Sequence, residues 1–196
     1  PPDRLVMILV TDREEALLPT VRSRVRSVGF GPVAAATIAA AVERRRGVDP
    51  ERAGALARVA RGRIGWALAA AADPRLVGRR EEALDGVAGL ASAPLSERFQ
   101  YAERVANRFG DRRDDGYETL ELWEEWWRDV LLVAGGREHL AVNAARLDTL
   151  RAQASQYRVE GALRVLSSLR RTRCLLEDNI QPLAALERLM LALGAA

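Results

Sequence analysis

Leu17-Leu18-Pro19-Thr20-Val21-Arg22-Ser23-Arg24-Val25-Arg26-Ser27-Val28-Gly29-Phe30 is the stretch around which the chain is organised. Before it lies an uninterrupted apolar run, Leu5-Val6-Met7-Ile8-Leu9-Val10, closed by Thr11-Asp12. A run this apolar, bounded by turn signals, suits a strand buried on both faces of a parallel sheet. Ser27 to Phe30 reads as a second short β-like piece. Strands of this kind joined by about a dozen residues form the end of a βαβ unit. From Pro32 onward every segment reads as helix. The predicted fold class is therefore mainly α, with the remnant of a parallel α/β domain at the front.

Arg24 stands just before the second predicted strand. Phosphoryl transfer is helped mainly by positioning and by positive charge near the transferring group. Arginine suits that role because it stays charged and presents a rigid bidentate fork. Arg24 is thus a candidate for chemistry. The alternative is a surface arginine at a helix C-terminus, where any cation is favoured.

Composition narrows the field. The 196 residues are 48% hydrophobic and 29% charged, with a net charge of +3. That is an ordinary composition with enough apolar material for a core. It is not the footprint of a strongly basic nucleic-acid module, although the pI is 9.7. All the basic residues are arginine, since no lysine occurs. A phosphate loop of the form GxxxxGK(S/T) needs its lysine, so none is present here. Schiff-base chemistry and lysine general bases are excluded with it. Cys174 is the single cysteine, so no intramolecular disulfide forms. Its neighbours Leu175 and Leu176 predict a buried, inert thiol. His139 is the single histidine and has no evident partners for a metal site or a catalytic triad. No signal-peptide pattern or membrane-spanning run is present, which predicts a cytoplasmic protein.

The helices read in order. Val33 to Arg45 ends in Arg44-Arg45-Arg46-Gly47, with cations at the negative end of the dipole and glycine as C-cap. Asp49-Pro50 starts the next, with Asp49 as N-cap and proline in the first turn. Gly62 breaks it, and Ile64 to Ala72 follows. Asp73-Pro74 opens a helix to Leu90, and 91–94 reads as a linker. Ser96 to Phe109 leads into a charged loop at 110–116. Tyr117 to Val133 is apolar on so much of its surface, with Leu120, Trp123, Trp126, Trp127, Val130 and Leu131, that it belongs at the centre of a bundle. Glu118, Glu121, Glu124 and Glu125 surround its tryptophans and would repel phosphate. Gly135-Gly136 ends it, Ala145 to Tyr157 follows, and a long helix runs from Val159 to about Glu177 with Leu163, Leu166 and Leu169 inward. A last amphipathic helix spans Leu183 to Leu193.

These segments, in this order, resemble clamp-loader subunits of replicative DNA polymerases, a branch of the AAA+ ATPases. In that family a strand ends in a polar "sensor 1" residue, a short helix follows, and then comes Leu-x-x-Thr-hydrophobic-x-Ser-Arg-Cys. Here Thr11 or Asp12 falls at sensor 1, and Leu17 to Val25 at the second motif, with Val25 in place of cysteine. The resemblance implies that Arg24, preceded by Ser23, is an arginine finger acting in trans on ATP held by a neighbouring subunit. Gly62-Arg63-Ile64-Gly65-Trp66-Ala67-Leu68 is similar to the family's lid motif Gly-x-x-Arg-x-Ala-Leu, with Gly65 at the "sensor 2" arginine. Arg63, two residues away on a helix, points elsewhere. The glycine form is similar to delta-prime subunits, which tend not to act as ATPases. Trp127-Arg128-Asp129-Val130-Leu131-Leu132 and Asn179-Ile180-Gln181-Pro182 resemble the delta-prime collar.

The resemblance implies the end of an AAA+-like ATPase domain over 1–31, a helical lid over 32–91 and a helical collar, the oligomerisation domain, over 95–196. It implies no cofactor in the chain itself and no metal, with ATP on the neighbour. The partners it implies are the gamma/tau and delta subunits through collar and lid, and the sliding clamp and primed DNA through the assembled loader, with no membrane. Catalysis by the chain alone is not expected, as part of the DNA polymerase III holoenzyme. The opening Pro1-Pro2-Asp3, without an initiator methionine, and a first strand lacking neighbours lead us to expect a C-terminal piece of a longer chain. Two other readings stand beside this one: a gamma/tau-type motor subunit of the same loader, and an unrelated helical adaptor or DNA-binding module.

Overall fold

A computed structural model describes residues 6–11, 14, 17–111 and 113–194. The chain divides into a short unit, Pro1–Pro32, and a large one, Val33–Ala196. It is mainly helical, and no strand occurs among the described residues.

The described residues of the short unit do not form the expected βαβ ending. Val6 to Val10 form no ladder and lie open, with Val6 84% and Val10 94% exposed. Ser27 to Phe30 is likewise irregular, with Phe30 94% exposed. A strand exists only where its N–H and C=O groups find partners, and no described segment offers this run a ladder. Leu5 lies outside the described residues. The short unit's α-helix among the described residues, α1, is Pro19–Arg22, with proline in its first turn. Ser27 Oγ donates to Glu14 Oε1 at 2.7 Å.

In the large unit, α2 (Ala35–Arg46), α3 (Pro50–Ala60) and α4 (Ile64–Ala72) wrap a small core. Ile38, Val42, Ala53, Leu56, Ala57, Ala60, Ala67 and Ala70 are buried there. Alanines dominate, so the helices approach closely. The boundaries follow local chemistry: Gly47 takes φ 64° after α2, and Asp49 accepts from Arg52 N–H at the head of α3.

α5 (Arg75–Leu90) belongs to two cores. Leu76 and Val77 pack on the α2–α4 cluster, whereas Leu84, Val87 and Leu90 are buried in the second, larger cluster. That cluster is built by α6 (Leu95–Asp111), α7 (Arg113–Ala134), α8 (Leu147–Glu177) and α9 (Pro182–Leu193) around the tryptophans of α7. Trp123, Trp126 and Trp127 are all fully buried. Trp126 Nε1 donates to Gln153 Oε1 at 2.7 Å, and Trp127 meets Tyr157 edge-on at 4.7 Å. The tryptophans are core, as their spacing predicts.

Several local expectations are corrected. The charged stretch 110–116 is not a loop: α6 runs to Asp111 and α7 begins at Arg113. Asp114 and Asp115 suit a helix start, and Gly116 is buried within α7, where a Cβ would sit 2.5 Å from the Phe109 ring. Leu163 is 50% exposed rather than inward. The buried stripe of α8 is Ala162, Val165, Leu169, Thr172 and Leu176, and Leu163 stands about 100° to its side. Cys174 is exposed for the same reason. α8 breaks at Arg158, whose φ is 54°, between the two helices expected there.

Three termini are tied by single residues. At the end of α8, Asn179 (φ 61°) and Ile180 donate back to the carbonyls of Leu176 and Leu175, a Schellman closure. Arg113, at the head of α7, bonds Asn179 Oδ1 at 2.8 Å and the Leu176 carbonyl. Arg98, 9% exposed, donates to the carbonyls of Ala91 and Met190, which end α5 and approach the end of α9. The Tyr157 hydroxyl donates to the Leu193 carbonyl at 2.6 Å.

Candidate functional site

The residues singled out by sequence fall in the short unit. Arg24 is exposed, two residues past α1. Its Nη1 donates to the Thr20 carbonyl at 2.7 Å, and Ser23 Oγ donates to the same oxygen at 3.3 Å. The last turn of α1 thus holds both side chains by one acceptor. Nη1 alone is engaged in that bond, so the outer edge of the guanidinium keeps further N–H donors directed away from it. The helix-end position expected on the alternative reading is the one Arg24 occupies. Thr11 is exposed; Asp12, its companion at the sensor 1 position, lies outside the described residues.

In the large unit, Gly65 occupies the first turn of α4 and is exposed. Arg63 points away from that position: its Nη1 donates to Glu121 of α7 at 2.9 Å. His139 lies in a short 3-10 turn, Glu138–Leu140. No cluster of histidine, cysteine or carboxylate side chains suited to a metal ion occurs among the described residues. No helix there is long and apolar enough to cross a membrane.

The densest arrangement of charge is one the sequence reading did not find. Glu121, Glu125 and Asp129 recur every four residues along one face of α7. Glu125 is 2% exposed and accepts from Arg80 of α5, from Arg61 at 3.3 Å and from Asn143 Nδ2 at 3.1 Å. Glu121 takes Arg63, and also Arg173 of α8 at 3.5 Å. Asp129 is fully buried and accepts the backbone N–H groups of Val142 and Asn143. Glu121, Glu125, Arg61, Arg63, Arg80 and Arg173 line a groove of about 870 Å³ whose walls include Trp66, Leu76, Tyr101 and Leu122; Asp129 lies outside it.

The chemistry open to this groove is limited. Its buried carboxylate, Glu125, is occupied by guanidinium and amide donors, so it does not stand ready as a general base. Its arginines are largely matched by glutamates, so it offers no excess positive field for phosphate. It acts as a joint between the two cores. The one legible signal is the spacing of four between Glu121, Glu125 and Asp129, on a helix that also carries Glu118 and Glu124. Their arginine partners lie 45 to 64 residues away, beyond any local pattern.

Nearby, Arg146 bonds both Glu81 and Asp85 on α5. The Arg146 guanidinium holds the Asp85 carboxyl below the ordinary aspartate range. Burial pushes the Tyr101 and Tyr157 hydroxyls up.

Comparison with protein-family models, curated proteins and solved structures returns no match for this chain.

Proposed function

We propose that this chain is a clamp-loader subunit of the delta-prime type, acting in the bacterial DNA polymerase III assembly in the cytoplasm. The observation that carries the reading is the segment Leu17 to Arg24, with its Thr20, Ser23 and Arg24, followed in order by lid-like and collar-like helices. The short helix before Arg24, the open setting of that arginine, the compact α2–α4 cluster and the helical bundle after it all support the reading.

On this account the chain is the remnant of a parallel α/β ATPase-like domain, then a lid, then a collar. Val6 to Val10 would lie in a sheet completed by other strands. Arg24 would reach ATP on the adjacent motor subunit and stabilise charge on the transferring phosphate. The rest of the chain would hold the loader ring together while it opens the sliding clamp and places it on primed DNA. The gamma/tau motor reading is the weaker one, because Gly65 stands where that subunit needs a cation.

Co-assembly tests the proposal. Mixed with gamma/tau and delta subunits, the protein should enter a single complex on size exclusion. Failure to enter it, by protein that is folded by circular dichroism, would contradict the reading.

A further inference from the structure

We infer that the α2–α4 module swings as a body on Gly78 and is clasped to the helical bundle by Arg61 and Arg63. The inference stands apart from the clamp-loader reading. It begins with α5, a continuous helix whose first turn packs on one core and whose later turns are buried in another. The principal packing route between the cores runs from α4 to α5 to α7. Gly78 falls between Leu76-Val77 and Leu84, at the changeover.

Nothing lies within 4 Å of where a Gly78 Cβ would sit, and the residue is exposed. No close packing therefore calls for glycine there. What glycine supplies in a helix interior is conformational freedom, and helices bend at such points. Two residues later, Arg80 anchors the rest of α5 to buried Glu125. The boundary between moving and fixed parts is thereby drawn within one turn.

The clasp is of a different kind from the anchor. Arg61 reaches Glu125 at 3.3 Å from the turn between α3 and α4, where its backbone takes φ 48°. Arg63 reaches Glu121 at 2.9 Å from the same turn. The Arg61 and Arg63 side chains are 36% and 46% exposed, against 6% for Arg80. The Arg63–Glu121 pair, open on both sides, is weak and screened by salt. Arg61 is open itself but meets the 2%-exposed Glu125, so it is screened less, and the doubly buried Arg80 anchor least of all. Losing the clasp frees the module while α5 stays docked, and the groove beneath it widens.

The test places spin labels at Ala55→Cys in α3 and Glu103→Cys in α6, both exposed positions, with exposed Cys174→Ser. Double electron–electron resonance then reads the distance between module and bundle. With native pairs at roughly 0.05 M salt the distribution should be single and narrow; at roughly 1 M it should broaden toward longer distances. Arg61→Gln with Arg63→Gln should broaden it already at low salt, and adding Gly78→Ala should narrow it again. A distribution unchanged by salt overturns the clasp. Broadening that Gly78→Ala leaves in place overturns the hinge. The salt series uses the native pairs, so it decides the first point even if the double variant misfolds.

Discussion

Arg80 of α5 and Glu125 of α7 form an ion pair whose side chains are only 6% and 2% exposed, 45 residues apart in the chain. Around it the two cores of the large unit are joined. Such pairs are costly to bury and costlier to break singly, because the survivor is left uncompensated.

Glu125→Leu should therefore destabilise the protein by about 3–5 kcal/mol, measured by urea unfolding. The double variant Arg80→Met with Glu125→Leu should recover a substantial part of that loss. Equal stability of the single and double variants would show that the pair is not the source of the effect.

Two glycines should respond in opposite directions to alanine. At Gly116 the new methyl would press on the Phe109 ring, so Gly116→Ala should cost about 1–3 kcal/mol. Phe109→Leu should relieve it in the double variant. At Gly78 nothing stands in the way, and alanine should stabilise by about 0.5–1 kcal/mol through helix propensity alone. Thermal unfolding of the two variants side by side checks both signs.

Asp85 supplies a pH dependence. Its carboxyl titrates below the ordinary aspartate value because of the hydrogen bond from Arg146. A depressed folded pKa stabilises the protein above the unfolded value, about 3.9, and the contribution fades as pH falls through the folded value. NMR titration of the Asp85 carboxyl should show a midpoint below that of free aspartate, and Arg146→Gln should return it to the ordinary range.

At the alkaline end the sign reverses. Tyr101 and Tyr157 are held neutral by burial, so their folded pKa values are raised. Their contribution is whole below the unfolded tyrosine value, about 10, and is lost as pH rises through the folded values. Absorbance at the phenolate band should show these two titrating above free tyrosine, and Tyr157→Phe should soften the alkaline loss of stability.

Local chemistry in the sequence located much of the helical part. Asp49-Pro50 marks the head of α3, Gly47 and Gly136 close helices in left-handed conformations, and Ile64–Ala72 is α4 as read. The three tryptophans of α7 announce a central helix because apolar groups cover most of its circumference. The failures share a cause as well. Val6 to Val10 has the composition of a strand, but a strand is a property of pairing and not of composition. Leu163 and Cys174 were misjudged because α8 has apolar residues on more than one face, and only packing selects the buried stripe. The Arg61, Arg63 and Arg80 cluster was invisible because its partners come from distant turns. Arg24 can be singled out from the sequence for the opposite reason: the segment around it is continuous in the chain.

Arg24 remains the central claim, and one measurement bears on it most directly. A loader reconstituted with gamma/tau, delta and this subunit would be assayed for ATP hydrolysis in the presence of clamp and primed DNA. Arg24→Ala, with the complex still assembled, should cut turnover at the adjoining ATP site by on the order of a thousandfold. An unchanged rate from a fully assembled loader would contradict the finger and leave Arg24 as the cation that closes α1.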